Sequence, residues 1–220
     1  MINYLFFKSK SSAMNFYKKC ISLIQSSNIF LNYKFRNNGI INALSNTNVI
    51  LDKNAKIIVE SGILTINSNY DNYEIGSFNL IMGQESKLIV HSNFNLHKNG
   101  HIIIRKNAKL ELGSGYISRN CKIRTFHNIE IGNNVAISEN FTIWDDDTHI
   151  LNNNEIEDKH KEIKIGNHVW IGNNVTILKG VKIGNNVVIA SNSLVNKNIP
   201  DNCLCAGIPA KIIKENINWQ

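Results

Sequence analysis

Cysteine is scarce in this 220-residue chain and follows no pattern: Cys20, Cys121, Cys203 and Cys205 form no C-x-x-C pair and no framework spacing. That excludes a disulfide-stapled scaffold and suits buried thiols in a reducing, cytoplasmic setting. Cys203-Leu204-Cys205 reads as a strand with one thiol turned inward and the other outward. A long hydrophobic run is also missing. Met1-Ile2-Asn3-Tyr4-Leu5-Phe6-Phe7-Lys8 is apolar but too short to span a bilayer, and it lacks the basic lead and small-residue cleavage site of a secretory signal. Acidic residues are the minority, 17 Asp and Glu against 24 Lys and Arg, for a net charge of +7. Yet no dense basic tract and no RRM-, zinc-finger- or helix-turn-helix-like pattern occurs, so nucleic acid is not the expected partner. An anionic cofactor, an acidic polymer or a membrane surface fits that charge better.

What the chain has in abundance is a six-residue beat. Aliphatic residues recur at Ile165, Ile171, Ile177, Ile183, Ile189 and Val195, and a second, small or branched residue follows four places later at Val169, Val175, Val181, Val187, Ser193 and Ile199. A helix would repeat every 3.6 residues and an isolated strand every two, whereas a fixed hexad marks a β-solenoid. Three hexads close one triangular coil and the fourth stacks on the first, roughly 4.8 Å away. Ile165 is therefore expected beneath Ile183, Ile171 beneath Ile189 and Ile177 beneath Val195. Gly and Asn pairs such as Gly132-Asn133-Asn134, Gly172-Asn173-Asn174 and Gly184-Asn185-Asn186 stay in phase with the aliphatics, which sets them at the corners. Gly has no Cβ to clash there, and Asn tolerates left-handed backbone.

Three segments are expected. Residues 1–47 form a helical capping segment, with a stripe of Met14, Phe16, Tyr17, Cys20, Ile21, Leu23 and Ile24 that covers the open end of the solenoid or gives, at most, peripheral contact with the inner face of a membrane. Residues 48–210 form the solenoid, loose at first and strict later, with a separate β-sandwich over 48–112 as the alternative. Residues 211–220 form a tail that turns helical. The beat runs through Ile131, Ile137 and Ile143, breaks over residues 144–162, and resumes at Ile163 and Ile165. Interruptions of a repeat commonly fall on the functional face, so the chemistry is expected in this loop.

Asp147-Thr148-His149, the stretch from Ile165 to Val175, the coil from Ile183 to Val195, and Lys197-Asn198-Ile199-Pro200 leading to Gly207-Ile208-Pro209-Ala210-Lys211 resemble the hexapeptide-repeat acyltransferases. Within that family the chain is most similar to bacterial O-acetyltransferases of capsule, lipopolysaccharide and exopolysaccharide gene clusters. The resemblance implies an all-β, left-handed parallel β-helix, a homotrimer with active sites between subunits, and acetyl-CoA as co-substrate with no metal. It implies transfer of acetyl to a sugar hydroxyl of a surface polysaccharide. An N-acyltransferase acting on an amino sugar nucleotide and a non-catalytic trimeric scaffold are the alternatives. Two departures stand out: Ile150 follows the histidine where some relatives have Pro, and Ala190-Ser191-Asn192-Ser193 replaces a common Ala-Gly-Ser.

Roles follow residue by residue from the resemblance. His149 is the expected general base, since an imidazole can take the hydroxyl proton near neutral pH, an assistance worth roughly 10²–10⁴ in rate. One carboxylate of the preceding run, Asp147 first and Asp145 second, is expected to hold its tautomer. Trp170, Asn173, Ser191, Asn196 and Lys197 match positions that contact the acyl donor, and Lys211 and Lys214 positions near its phosphates. Asn120, Thr125 and Trp144 match positions that hold the acceptor sugar. His127, His149, His160 and His168 lack the close spacing of the metal-binding branch of this fold.

Overall fold

The structure, a computed structural model, describes residues 31–34, 39–69, 75–149 and 161–220. Its strands build three sheets, here faces A, B and C, of ten, seven and six strands. The chain visits A, B and C in turn, and each strand pairs in parallel with the one a full coil later, which winds a left-handed parallel β-helix around a triangular core. The expected register is observed: Ile165 pairs with Ile183, Ile171 with Ile189 and Ile177 with Val195. Inward residues stack into apolar columns, such as Val90, Leu112, Ile131, Ile165 and Ile183 on face C, all buried. Each buried aliphatic side chain contributes about 1.5–3 kcal/mol relative to exposure, so the columns carry most of the stability.

The corners divide labour between Gly and the two Asn residues. A Cβ on Gly166 would lie 2.6 Å from the Gly184 carbonyl oxygen, so only glycine lets successive coils approach this closely. The first Asn ties coils together: the Asn133 amide donates to Asn167 Oδ1 at 2.7 Å and the Asn167 amide to Asn185 Oδ1 at 2.8 Å. The second Asn makes the turn, with φ of 53° at Asn134, 59° at Asn174 and 54° at Asn186.

Coil length explains the looser phase upstream. Trp170 pairs with Val188, 18 residues on, whereas Tyr116 pairs with Ala136, 20 residues on, because the earlier strands are longer. Residues 48–112 lie in the same three sheets, so no separate sandwich exists. Pairing begins before residue 48: Ile40–Ala43 already lies beside Ile63–Ser68 on face A. The expected helix over the Met14 to Ile24 stripe lies outside the described residues. The expected helical tail is instead a strand, Ala210–Glu215, that returns antiparallel to Cys203–Gly207 and closes the edge of face A with charged residues, a common protection against edge pairing. Cys203 and Cys205 both point inward, because residues two apart on a strand share a face. Burial pushes the Cys205 thiol up to about 11 and that of buried Cys121 up to about 12, so neither is a reactive nucleophile.

Candidate active site

The break in the beat is an excursion from the edge between faces B and C. Ala136 pairs with Trp170, 34 residues on, against 18 for the next coil, which measures the chain spent outside the helix. The excursion is closed at its neck: the Lys161 amide donates to the Asp145 carbonyl at 3.2 Å, and the Gly180 amide of the next coil donates to the Lys161 carbonyl at 3.1 Å.

Asp145 anchors the neck from inside. Fully buried, its carboxylate accepts from the amides of Phe126, His127 and Asn128 at 2.7, 2.9 and 2.8 Å, which form the B–C corner of the preceding coil. Burial raises its pKa above the usual carboxylate range, with the three amides pulling it back down. Both oxygens are thus engaged by backbone, so this aspartate holds the loop root rather than an imidazole. Asp147 is half-exposed and pairs with Lys179 Nζ at 2.8 Å, tying the loop to the next coil. Between them the Asp146 carboxylate accepts the Thr148 amide, and Thr148 itself has φ of 61°. A β-branched residue with positive φ is an outlier that persists only where its surroundings impose it, and such residues cluster at functional sites. The next residue is His149, exposed, with its amide 2.7 Å from the Asp147 carbonyl.

The other expected site residues fall into separate groups. Trp144, 44 % exposed at the end of a face B strand, leads directly into the loop. Asn196 and Lys197 are exposed on the same B–C edge two coils further on. Trp170, 45 % exposed, stands on face A in one outward register with Tyr116 and Ala136. Asn173 and Ser191 stack at the A–B edge, where the Asn173 amide donates to Ser191 Oγ at 3.1 Å, beside a recess of ≈ 220 Å³ lined by Tyr116, Ser118, Ser138, Glu139 and Asn173. Lys211 and Lys214 are exposed on the last strand of face A. Asn120 makes the A–B turn with φ of 61°. Thr125 does not face solvent: it is fully buried inside the coil, out of reach of an acceptor. In a triangular cross-section the B–C edge lies opposite face A, so one chain cannot bring His149 to Trp170.

Two contributors escaped the sequence reading. Lys179 was legible in principle: once the excursion is discounted, the pairing of Ile143 with Ile177 aligns Asp145 with Lys179, a basic residue over an acidic run. Trp219 was not, because it lies outside the repeat; its indole stacks on the His168 imidazole at 4.2 Å.

Fold and repeat define a hexapeptide-repeat transferase. The family model described as bacterial transferase hexapeptide (six repeats) matches residues 162–197. An uncharacterized 24.8 kDa protein in the cps region of Klebsiella pneumoniae is 32 % identical over 175 residues, covering 79 % of this chain and 75 % of that protein. The polysialic acid O-acetyltransferase of Escherichia coli O1:K1 / APEC is 38 % identical over 138 residues, 56 % of this chain but only 43 % of that relative's length. The crystal structure of the polySia specific acetyltransferase NeuO is similar with a TM-score of 0.50 and 28 % identity, covering 80 % of this chain and 89 % of that one. The chain belongs to the hexapeptide-repeat, left-handed β-helix acyltransferase family, and it is most similar to the polysaccharide O-acetyltransferases within it.

Proposed function

We propose that this protein is an O-acetyltransferase that moves acetyl from acetyl-CoA to a sugar hydroxyl of a capsular or other surface polysaccharide. The observation that carries the reading is the anchored turn that presents His149: a buried carboxylate at its root, an ion pair to the next coil and a strained threonine before it. Acetyl-CoA supplies a thioester. His149 takes the proton as the sugar hydroxyl attacks the thioester carbonyl; a C–O bond forms, the C–S bond breaks, and the proton passes to the departing thiolate. Asp145 and Asp147 act as positioning residues, the first through the loop root and the second through Lys179.

The separation of the two residue groups supports a homotrimer in which the B–C edge of one subunit faces face A of its neighbour. Trp170, Asn173 and Ser191 then form the facing wall, with Trp144, Asn196 and Lys197 on the near side and Lys211 and Lys214 as cations for phosphate groups. Trp144 and the A–B edge at Asn120 border the acceptor. The test is incubation with acetyl-CoA and a panel of capsular polysaccharides, scored by free thiol release and by base-lability of the product. A base-labile acetyl ester is expected. A base-stable amide on an amino sugar would transfer the reading to N-acylation, and no thiol release with any glycan would leave a scaffold.

A further inference from the structure

One corner of the repeat departs from the rest, and its contacts have no part in the reaction above. Three Ile-Gly-Asn-Asn corners put Asn in the left-handed position, but Ile165-Gly166-Asn167-His168 puts a histidine there, with φ of 56°. Asn suits that backbone because its short amide bonds locally, whereas an imidazole must find partners elsewhere. It finds them in Trp219. The two rings stack at 4.2 Å with 5° between planes. Trp219 Nε1–H donates to the His168 carbonyl at 3.0 Å, and His168 Nε2 lies 3.0 Å from the Trp219 carbonyl, to which only an N–H can bond. Ile217 pins the same segment to the two following corners: its amide donates to the Asn202 carbonyl at 3.1 Å, and its carbonyl accepts from Asn186 Nδ2 at 2.7 Å.

This segment contributes nothing to the apolar core, since Ile217 and Trp219 are only half-buried and lie outside it. What it reaches is Trp170: the two indoles are 6.0 Å apart and tilted by 47°. Aromatic pairs prefer such offset, tilted arrangements over free rotation of an exposed ring. Trp170 otherwise stands exposed on a flat strand of face A, flanked by small Ala136 and by Val188 in its register.

We propose that Trp219 is a positioning residue, a buttress that fixes the indole of Trp170 on face A through the His168 corner. The proposal rests on the reading of face A as one wall of the reaction cleft. A fixed indole presents a preorganised face to the ligand that packs on it, which lowers the cost of ordering it on binding.

The test has two arms. In a Trp144→Phe background, Trp219→Phe and Trp219→Ala each leave Trp170 as the sole tryptophan. Phenylalanine keeps a ring on His168 but loses the Nε1–H bond, whereas alanine loses both. Acrylamide quenching of Trp170 is expected to be clearly stronger in the alanine variant than in the phenylalanine variant. In the otherwise native chain, Trp219→Ala is expected to raise KM for acetyl-CoA or acceptor by about three- to ten-fold, with kcat within about two-fold and Tm nearly unchanged, and Trp219→Phe is expected to restore most of the loss. In a Trp170→Ala background the same substitution is expected to have no further effect. Equal quenching in the two variants, or a parallel fall of Tm and kcat, overturns the proposal. The quenching arm decides it even if no acceptor is turned over, so its failure is separate from failure of the transferase reading.

Discussion

His149 is exposed and held through its backbone, so His149→Ala is expected to leave stability within about 0.5 kcal/mol while lowering turnover by roughly 10²–10⁴. Thermal denaturation and initial rates on the same samples check both halves. A different histidine governs pH dependence. His91 Nδ1 lies 2.8 Å from Glu60 Oε2 and its Nε2 3.3 Å from Glu111 Oε2. The bond to Glu60 above all raises its pKa from 6.5, against a smaller opposing effect of burial. The folded chain binds this proton more tightly than the unfolded one, so the stabilisation is fully present below 6.5 and is lost as pH rises through the raised native value. Urea titrations of wild type and His91→Gln between about pH 5.5 and about 8.5 are expected to differ most at the acid end and to converge at the basic end. Single-residue roles were only partly legible. The phase of the Asn pairs put them at corners, but that the first bonds the neighbouring coil and the second bears the positive φ depends on atoms one coil away.

A coil is the unit in which Gly166 matters. Its missing Cβ would meet the Gly184 carbonyl, a backbone atom with no rotamer to escape by, so Gly166→Ala must push two coils apart. The expected cost is about 1–3 kcal/mol or more, read as a lowered urea midpoint with unchanged slope. The columns of aliphatics were legible at this scale because the hexad fixes their phase whatever the coil length. The element that resisted reading was the last strand, Ala210–Glu215. It stands outside the beat, its charged and aliphatic residues suit a helix as well as an edge, and only the presence of an open sheet edge at Cys203–Gly207 selects a strand. Asp145 shows the same limit: its place in an acidic run suggests a partner for the imidazole, yet the nearest donors are three amides of the preceding coil.

For the whole molecule the decisive prediction is complementation. If sites form between subunits, a trimer assembled from mixed His149→Ala and Trp170→Ala chains rebuilds intact sites wherever the two good surfaces meet. Co-refolding the two inactive variants in equal amounts is expected to restore about a quarter of the wild-type rate, and a rate no higher than either variant alone would place His149 and Trp170 in one subunit or in no common site. By itself the sequence determined the fold class, the stacking register of the final coils and the position of the excursion, since all three are properties of one-dimensional phase. Tertiary structure alone decided that Asp145 anchors the loop root, that Thr125 faces inward, that Trp219 meets His168, and that His149 and Trp170 stand on opposite sides of the prism. Those facts depend on contacts between coils and on the faces of a closed triangle, which a linear period does not encode.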